Sequence, residues 1–310
     1  MKTETIIAEA GAGVTSGVTP TWTDLDPPPR RRPAWTRWAA ALAKHLLMIA
    51  VSVVALYPVL WMVASSFRPD SEIFGTASIF PDSFNLDNYT AGWNALTKPF
   101  STYLINSAIV VGGAIIGNLL TCSMAAYAFA RLRFRLRGPA FALMLLTLMI
   151  PIHVVIVPQY IIWAKLGLVN TFVPVIAPKF LASDAFFIFL MVQFIRGLPR
   201  DLDEAARIDG AGHGTIFFRI LLPLMTPALA TTAIFTFIWT WNDFFSQLIY
   251  LTKPDLYTVP VALRSFIDAT SKSSYGGMFA MSVVSVLPLV LAFAVGQKYL
   301  VRGIATTGLK

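Results

Sequence analysis

Long apolar stretches, separated by shorter polar segments, occupy most of the chain after residue 38. A helix needs about 20 apolar residues to cross a bilayer, and open strands cannot cross it because their backbone groups would stay unpaired. The pattern therefore predicts an all-α integral membrane protein with six transmembrane helices. The fourth stretch is the weakest, because Lys179 and Asp184 interrupt it, and we expect its helix to start near Lys179. The six predicted spans are residues 46–67, 104–130, 138–164, 173–195, 220–242 and 273–297.

Proline recurs inside these spans. It lacks a backbone N–H and kinks a helix, which membrane bundles tolerate where neighbouring groups satisfy the freed carbonyl. We therefore expect kinked helices, of the kind that suits a pathway that opens and closes. The prolines concerned are Pro58, Pro151, Pro158, Pro223, Pro227 and Pro288.

The composition agrees with a membrane protein. Of the 310 residues, 56% are hydrophobic and 13% are charged, against about 25% charged residues in soluble domains. The net charge is +8, but the basic residues fall between apolar runs rather than on a soluble face, which argues against nucleic-acid binding. Cys122 is the single cysteine, so no intrachain disulfide can form. The three histidines lack metal-ligand spacing, and we expect neither a metal nor a cofactor.

The distribution of Lys and Arg predicts the orientation of the spans. One side of the membrane carries 17 of these residues and the other carries seven. Because basic residues concentrate in cytoplasmic loops, we expect both termini and the loop 196–219 in the cytoplasm. Residues 1–38 are rich in Gly, Thr and Pro and are expected to form a disordered cytoplasmic extension. A transmembrane domain over 39–310 would follow, with a cytoplasmic tail at 298–310.

A polar segment between the fourth and fifth apolar stretches has the pattern of a short helix and a turn. Asp201 is a candidate N-cap, and Glu204 three residues later completes a capping-box pair. Three glycines then allow a sharp turn. We expect a helix-turn-helix that docks a partner at the cytoplasmic face; the alternative is an ordinary amphipathic loop helix. The segment 204–223 reads EAARIDGAGHGTIFFRILLP, and the glycines are Gly210, Gly212 and Gly214.

The spacing in this segment resembles a family signature. E-A-A, three residues, Gly, nine residues and I-x-L-P resemble the permease subunits of binding-protein-dependent ABC importers. The resemblance covers residues 45–310 and is to the maltose-type subunit of the carbohydrate branch. It implies the type I ABC importer permease fold, in the cytoplasmic (inner) membrane of a prokaryote. Further matching segments are Phe80-Pro81, Asn88-Tyr89 and residues 103–107, 125–131, 167–171, 241–244 and 303–310.

The resemblance also implies a function and partners. The chain would pass a sugar (a mono-, di- or oligosaccharide, or a related polyol or glycoside) across the membrane by alternating access. Its partners would be a second homologous permease in a heterodimer, two ABC ATPase subunits, an extracytoplasmic sugar-binding protein and membrane lipid. The sequence has no G-x-x-x-x-G-K-[ST] loop for nucleotide. ATP hydrolysis would belong to a partner, and the chain is expected not to be an enzyme.

Residues 202–214 would, by this resemblance, form a coupling helix seated in a cleft of the ATPase. Glu204 would pair with a basic residue there, and two alanines would pack at the contact. The tail around Gly308 and Lys310 would reach between the ATPase subunits, although this ending departs from the usual family pattern. The expected coupling residues are Glu204, Ala205, Ala206, Arg207, Asp209, Gly210 and Gly212.

Polar and aromatic residues within the spans are candidates for the sugar pathway. Polar groups are costly toward lipid, and hydroxyls and aromatic rings suit carbohydrates. The alternative for each is a helix–helix hydrogen bond or an interface belt. Asn242, with Asp243 beside it, lies at the outer end of the fifth span and is a candidate for either a structural or a gating role. The other candidates are Asn118, Thr121, Ser123, Thr236, Trp239, Thr240 and Trp241.

Two other classes of protein are alternatives to the transporter subunit. A membrane-embedded enzyme would need convergent ionisable groups, and Asp184 alone does not supply a catalytic pair. A stand-alone channel or secondary transporter would show buried charges or paired broken helices, which we expect to be absent.

Overall fold

The structure is a computed structural model that describes residues 34–75, 84–267 and 274–305. Within these ranges the chain is helical and contains no strand. It divides into two compact units, residues 1–56 and 57–310. Most of the predicted extension, the Phe80-Pro81 pair and the end of the tail, with Gly308 and Lys310, lie outside the described residues.

Helix α1, Ala34–Ser65, begins inside the segment predicted to be disordered. Residues 34–38 of the predicted extension are thus helical. The run after Pro33 is rich in alanine, a strong helix former, and a proline disfavours the helical conformation of the residue before it. Its part from Ala41 to Ser65 is long and apolar enough to span a membrane. Two short helices follow, α2 (Asp70–Ile73) and α3 (Asp87–Asn94).

Helix α4, Phe100–Arg131, contains the predicted second span within its 32 residues. It lies at the centre of the described packing, with α4 against α8 (Ala185–Gly197) and against α12 (Thr226–Trp241). A buried apolar cluster joins α4, α8 and the chain around residues 206–228. Helix α4 packs closely against the segment before α8 at Gly117, where an added Cβ atom would lie 2.9 Å from the Lys179 backbone carbon.

The third predicted span is broken. Helix α5, Arg137–Leu146, and a 3₁₀ turn, Thr147–Met149, are followed by α6, Ile152–Lys165, at an angle of 101°. Ile150 and Pro151 are both extended, because proline disfavours the helical conformation of the residue before it. The kink expected at Pro151 is thus a complete interruption, whereas Pro158 remains inside α6.

The fourth predicted span is also discontinuous. It consists of α7 (Val173–Ile176), a 3₁₀ segment (Ala177–Leu181) and α8. The break comes at Ala182, with φ 52°, and Asp184 precedes α8 directly. The expected helix start near Lys179 is wrong by a few residues, because Lys179 lies in the 3₁₀ segment. The stretch Val173–Gly197 as a whole still has the length and hydropathy of a span.

The fifth predicted span, 220–242, bends by 74° before α12. Pro223 and Pro227 flank the bend at Met225, and neither proline can donate the backbone hydrogen bond that a continuous helix needs. The stretch before the bend comprises α9 (Asp201–Ile208), α10 (His213–Thr215), a π-helical segment (Ile216–Leu221) and α11 (Leu222–Leu224).

The last described span is α15, Tyr275–Ala305, which agrees with the predicted 273–297 and continues into the predicted tail. The described residues thus hold four candidate spans, or six if each of the two bent pairs is also counted as one span. The connection between α12 and α15 contains α13 (Phe245–Tyr250), a 3₁₀ turn (Pro254–Leu256) and α14 (Val259–Arg264).

Candidate functional site

Helix α9 is the short polar helix that the sequence predicts, but its N-terminus is not capped as expected. Asp201 is its first helical residue rather than its N-cap, and no side-chain cap hydrogen bond is made. The backbone N–H groups of Asp203 and Glu204 donate to the Arg200 carbonyl at 2.9 and 3.2 Å. Three carboxylates in the first turn stabilise the positive end of the helix dipole. The capping-box prediction is therefore wrong, and its acidic residues act through the dipole instead.

A buried ion pair attaches α9 to the end of α4. The Arg131 Nε atom lies 3.0 Å from Asp203 Oδ2, and their side chains are only 3% and 7% exposed. The same guanidinium donates through Nη2 to the carbonyls of Leu198 and Pro199, at 2.9 and 3.3 Å. One arginine thus holds both the loop that enters α9 and the helix itself.

The two faces of α9 differ sharply in exposure. Ala206 is buried and packs into the apolar cluster of this chain. This differs from the expectation that both alanines face a partner, because a helix of this pitch turns adjacent residues about 100° apart. Glu204, Ala205 and Arg207 are exposed, and Ile208 is 86% exposed. The outward face therefore combines a carboxylate, a small residue and an unusually exposed apolar side chain.

The turn after α9 needs one glycine of the three. Gly210 has φ 83°, the left-handed region that favours glycine. The Gly210 N–H donates to Arg207 and the Ala211 N–H to Ala206, at 3.0 and 2.9 Å, which is the Schellman pattern of a helix end. Gly212 has φ −75° and open space around its Cα, so another residue fits there. Asp209 is the exposed C-cap.

A cleft of about 710 Å³ opens between α9 and the end of α4. His213 lines it, and its Nδ1 atom lies 3.2 Å from the Tyr127 hydroxyl. This histidine was expected to have no role beyond packing, since its sequence neighbours carry no metal-ligand or catalytic pattern. The cleft is lined by Arg131, Leu132, Arg133, Phe134, Arg200, Asp203, Glu204, Arg207 and His213.

Three of the predicted pathway residues are instead hydrogen-bonded inside the bundle. The Asn118 amide donates to Asp184 Oδ2 at 2.7 Å and to Thr236 Oγ1 at 3.1 Å. Thr121 donates to the carbonyls of Gly117 and Lys179, both at 2.9 Å. Because these groups bond to the protein itself, they join α4, α8 and α12 in this conformation rather than line an open path.

Three further candidates are internal as well. The Trp241 Nε1–H donates to the Ser285 carbonyl at 3.1 Å, and the Thr240 carbonyl accepts from Gln247 Nε2 at 2.9 Å. Ser123 donates to the Leu120 carbonyl at 3.0 Å. All three side chains are buried. The Trp241 bond joins α12 to α15, whereas the Ser123 bond stays within α4 and Thr240 accepts through its backbone.

Trp239 and Asn242 remain at the surface of the described chain. The Trp239 ring stacks on Phe187, with centroids 5.1 Å apart, and is 49% exposed. The Asn242 amide donates to the Ile238 carbonyl at 2.8 Å and is exposed. These two are the predicted pathway residues that the structure leaves accessible.

Two side-chain pairs were not predicted from the sequence. Arg131 and Asp203 lie 72 positions apart, and no local pattern connects them. Lys179 and Asp184 were noted only as interruptions of a span, yet the Lys179 Nζ atom lies 3.1 and 2.9 Å from the two Asp184 oxygens. Their spacing of five residues could have suggested the pair, had the break at Ala182 been foreseen.

Comparison with known proteins decides the family. Residues 117–306 match the family described as binding-protein-dependent transport system inner membrane component. The chain belongs to this family. The match covers more than half of the chain and includes the α9 loop, α12 and all of α15. The chain is therefore a multi-pass membrane protein and the transmembrane component of such a transport system, as the resemblance implied.

Curated relatives agree with this family over most of their length. The chain is 35% identical to the arabinooligosaccharides transport system permease protein of Halalkalibacterium halodurans, over 84% of this chain and 93% of that protein. It is 34% identical to the diacetylchitobiose uptake system permease protein of Streptomyces coelicolor, over 83% and 85%. It is also 34% identical to the trehalose/maltose transport system permease protein of Thermococcus litoralis, over 84% and 94%.

A solved structure has the same fold. It is a bacterial ABC transporter involved in the import of the acidic polysaccharide alginate, which matches with a TM-score of 0.76. The match covers 87% of this chain and 99% of that chain, at 22% identity. The predicted ABC importer permease fold is thereby confirmed. The expectation that buried charges and paired broken helices are absent is wrong, since Arg131 and Asp203 are buried and two of the predicted spans are bent helix pairs. The family match, to a component of a binding-protein-dependent system, still argues against a stand-alone transporter.

Proposed function

We propose that this permease passes a sugar (a mono-, di- or oligosaccharide, or a related polyol or glycoside) across the cytoplasmic membrane of a prokaryote by alternating access, driven by a separate ATPase that docks on α9. The observation that carries the proposal is the outward face of α9, tied to α4 by Arg131 and Asp203. The printed names of three relatives, which concern arabinooligosaccharides, diacetylchitobiose and trehalose or maltose, support a carbohydrate substrate.

The ATPase contact is built from exposed residues of α9 and its turn. Glu204 supplies a carboxylate for a basic partner residue, Ala205 allows close approach, and Ile208 supplies an apolar contact. Gly210 sets the direction in which the chain leaves the contact. Ala206 contributes from the inner side, where it fixes α9 to its own domain. The remaining exposed members of the proposed contact are Arg207, Asp209 and Gly212.

The buried Arg131–Asp203 pair can transmit a displacement of α9 to the membrane helices. A displacement of α9 moves Arg131, because the pair is buried and the guanidinium also holds two carbonyls of the preceding loop. Arg131 ends α4, and Asn118 connects α4 to Asp184 and Thr236. Movement of the docking helix is thereby shared among three membrane helices, as alternating access requires.

The energy source and the other subunits lie outside this chain. The sequence contains no nucleotide-binding loop, so ATP hydrolysis belongs to two ATPase subunits. A second homologous permease completes the pathway as a heterodimer, and an extracytoplasmic binding protein delivers the sugar. Gly308 and Lys310 are proposed to reach the ATPase dimer from the tail. Both termini and the α9 loop are placed in the cytoplasm on the charge count of 17 against seven.

Reconstitution of the whole complex tests the proposal. The permease, its partner permease and the ATPase are purified together and placed in proteoliposomes with the binding protein. We expect ATP-dependent sugar uptake, and ATP hydrolysis that rises with the loaded binding protein. Glu204→Lys should abolish both the stimulation and the uptake, whereas Asp201→Asn, a neighbouring exposed carboxylate, should keep them. Uptake without the ATPase, or an unaffected Glu204→Lys variant, would contradict the proposed coupling.

A further inference from the structure

The chain that carries α9 meets helix α4 at a second point besides Arg131. The Tyr127 hydroxyl of α4 lies 3.2 Å from the Nδ1 atom of His213, the residue that begins α10. The centroids of the two rings are 6.5 Å apart, and the rings are inclined at 62°. This contact therefore joins α4 to the chain just after the turn at Gly210.

Packing fixes the Tyr127 side of the contact. The Tyr127 side chain is 6% exposed and belongs to the apolar cluster that joins α4, α8 and residues 206–228. Its ring also packs against Phe217, with centroids 5.3 Å apart. Because a ring in a close-packed cluster cannot turn without moving its neighbours, the hydroxyl is held in one position.

The direction of the hydrogen bond follows from the partners of the hydroxyl. Among the described residues, the Tyr127 hydroxyl makes no hydrogen bond other than the one with His213. A buried donor without an acceptor is costly, so the hydroxyl donates to Nδ1. The His213 ring is then neutral and carries its proton on Nε2.

Tyr127 and Arg131 act on the same segment from one face of α4. They are four residues apart, which places their side chains side by side on the helix. Arg131 holds the chain where it enters α9, through Asp203 and two loop carbonyls. Tyr127 holds it where it leaves, through His213. The end of α4 thus contacts both ends of the segment that carries α9.

Two contacts constrain α9 in a way that one contact does not. With the Arg131–Asp203 pair alone, α9 can pivot about that pair when a partner displaces it. The Tyr127 contact lies four residues away along α4, about 6 Å, and removes this pivot. A displacement of α9 is then passed to α4 as a movement of the whole segment.

We infer that Tyr127 and His213 are positioning residues of the proposed coupling. Their hydrogen bond keeps α9 and the end of α4 moving together, although neither residue belongs to the proposed ATPase contact. This inference rests on the proposed function, because it assumes that an ATPase displaces α9. It also separates two steps, since the docking residues control ATP hydrolysis, whereas this pair controls how much sugar each hydrolysis transports.

Uptake per ATP hydrolysed, in proteoliposomes of the complete complex, tests the inference. Tyr127→Phe keeps the packed ring but removes the hydroxyl. We expect the loaded binding protein to stimulate hydrolysis as before, and uptake per ATP to fall about two- to tenfold, the range that corresponds to one lost hydrogen bond. Tyr160→Phe is the matched control, because the Tyr160 ring also stacks on an aromatic but its hydroxyl makes no hydrogen bond within the described part of the chain.

Substitutions of His213 separate the hydrogen bond from the size of the side chain. Asparagine carries an acceptor oxygen on Cγ, where histidine carries Nδ1, so His213→Asn should keep uptake per ATP within about twofold. Glutamine is closer to histidine in length, but its oxygen lies one bond further out. His213→Gln should therefore lower uptake per ATP as far as His213→Ala does. The double variant Tyr127→Phe/His213→Ala should be no worse than the worse single variant, because both changes remove the same bond.

Three results would each overturn the positioning role while the importer function stood. They are unchanged uptake per ATP in Tyr127→Phe and His213→Ala, equal values for His213→Asn and His213→Gln, and losses that multiply in the double variant. Loss of stimulated hydrolysis would assign the pair to docking and would overturn the role as well. If Tyr127→Phe does not assemble with the ATPase, the variants of His213, an exposed residue, decide the question. A wild-type complex without ATP-driven uptake would overturn the proposed function and this inference together.

Discussion

The guanidinium of Arg131 and the carboxylate of Asp203 meet at 3.0 Å in a place where less than one tenth of either side chain is exposed. Arg131 is the last residue of α4 and Asp203 is the third of α9. A long membrane helix is therefore joined end-on to the short helix that carries the EAA segment. Removing either partner should loosen the junction without removing any exposed residue of α9.

Breaking this pair should separate docking from transport. We expect Arg131→Met or Asp203→Leu alone to destabilise the junction by about 3–5 kcal/mol, because the remaining charge stays buried and uncompensated. The double variant should recover most of the loss. Thermal unfolding of the purified complex and its uptake per ATP hydrolysed provide the measurements. Arg133→Met, an exposed arginine of the same loop, is the matched control, and an equal effect there would contradict the role of the pair.

The turn after α9 offers a comparison of two glycines. Gly210→Ala forces a side chain into φ 83°, which costs about 1–2 kcal/mol and should redirect the chain between α9 and α10. Gly214→Ala, inside α10 with no atom within 4 Å of the added Cβ and outside the proposed contact, should be neutral. Stimulation of ATP hydrolysis by the loaded binding protein is the readout. Equal activity of the two variants would show that the turn geometry is not needed.

Labelling of a single introduced cysteine can show on which side of the membrane α9 lies. Gly212→Cys should react with a membrane-impermeant maleimide in inverted vesicles and stay unlabelled in intact cells, since the charge distribution predicts that the loop lies in the cytoplasm. The native Cys122 is fully buried and should give little background. Labelling of Gly212→Cys from outside intact cells would reverse the orientation.

Close packing at Gly117 should control the position of Lys179. Gly117→Ala places a methyl group 2.9 Å from the Lys179 backbone carbon, so the 3₁₀ segment must move away from α4. Overpacking of this kind costs about 1–3 kcal/mol, and we expect a lower melting temperature and weaker sugar uptake. Gly112→Ala, five residues earlier with no atom within 4 Å, is the control. A fully active Gly117→Ala variant would show that this segment can shift freely.

The sequence predicted the positions of individual helices better than the angles and contacts between them. The second span, 104–130, lies within α4 because one uninterrupted apolar run sets its length. The bends of 101° and 74° did not follow from the prolines at their positions, since a proline removes one hydrogen bond but the surrounding packing sets the angle. Ala206 was expected on the partner's side, because the letters EAA carry no information about which face of α9 the core covers.

The π-helical segment Ile216–Leu221 lies between the turn after α9 and α12, and it can change the length of this part of the chain. A π turn holds one more residue than an α turn, so its conversion to α-helix would release a single residue of chain. That residue corresponds to about 1.5 Å of travel and about 100° of rotation. The chain segment that leads from α9 to α12 therefore holds one extra residue. If α9 is displaced by less than the length of that residue, the π-to-α conversion can take up the displacement before α12 moves. The Arg131–Asp203 contact joins α9 to α4 directly and contains no such extra residue.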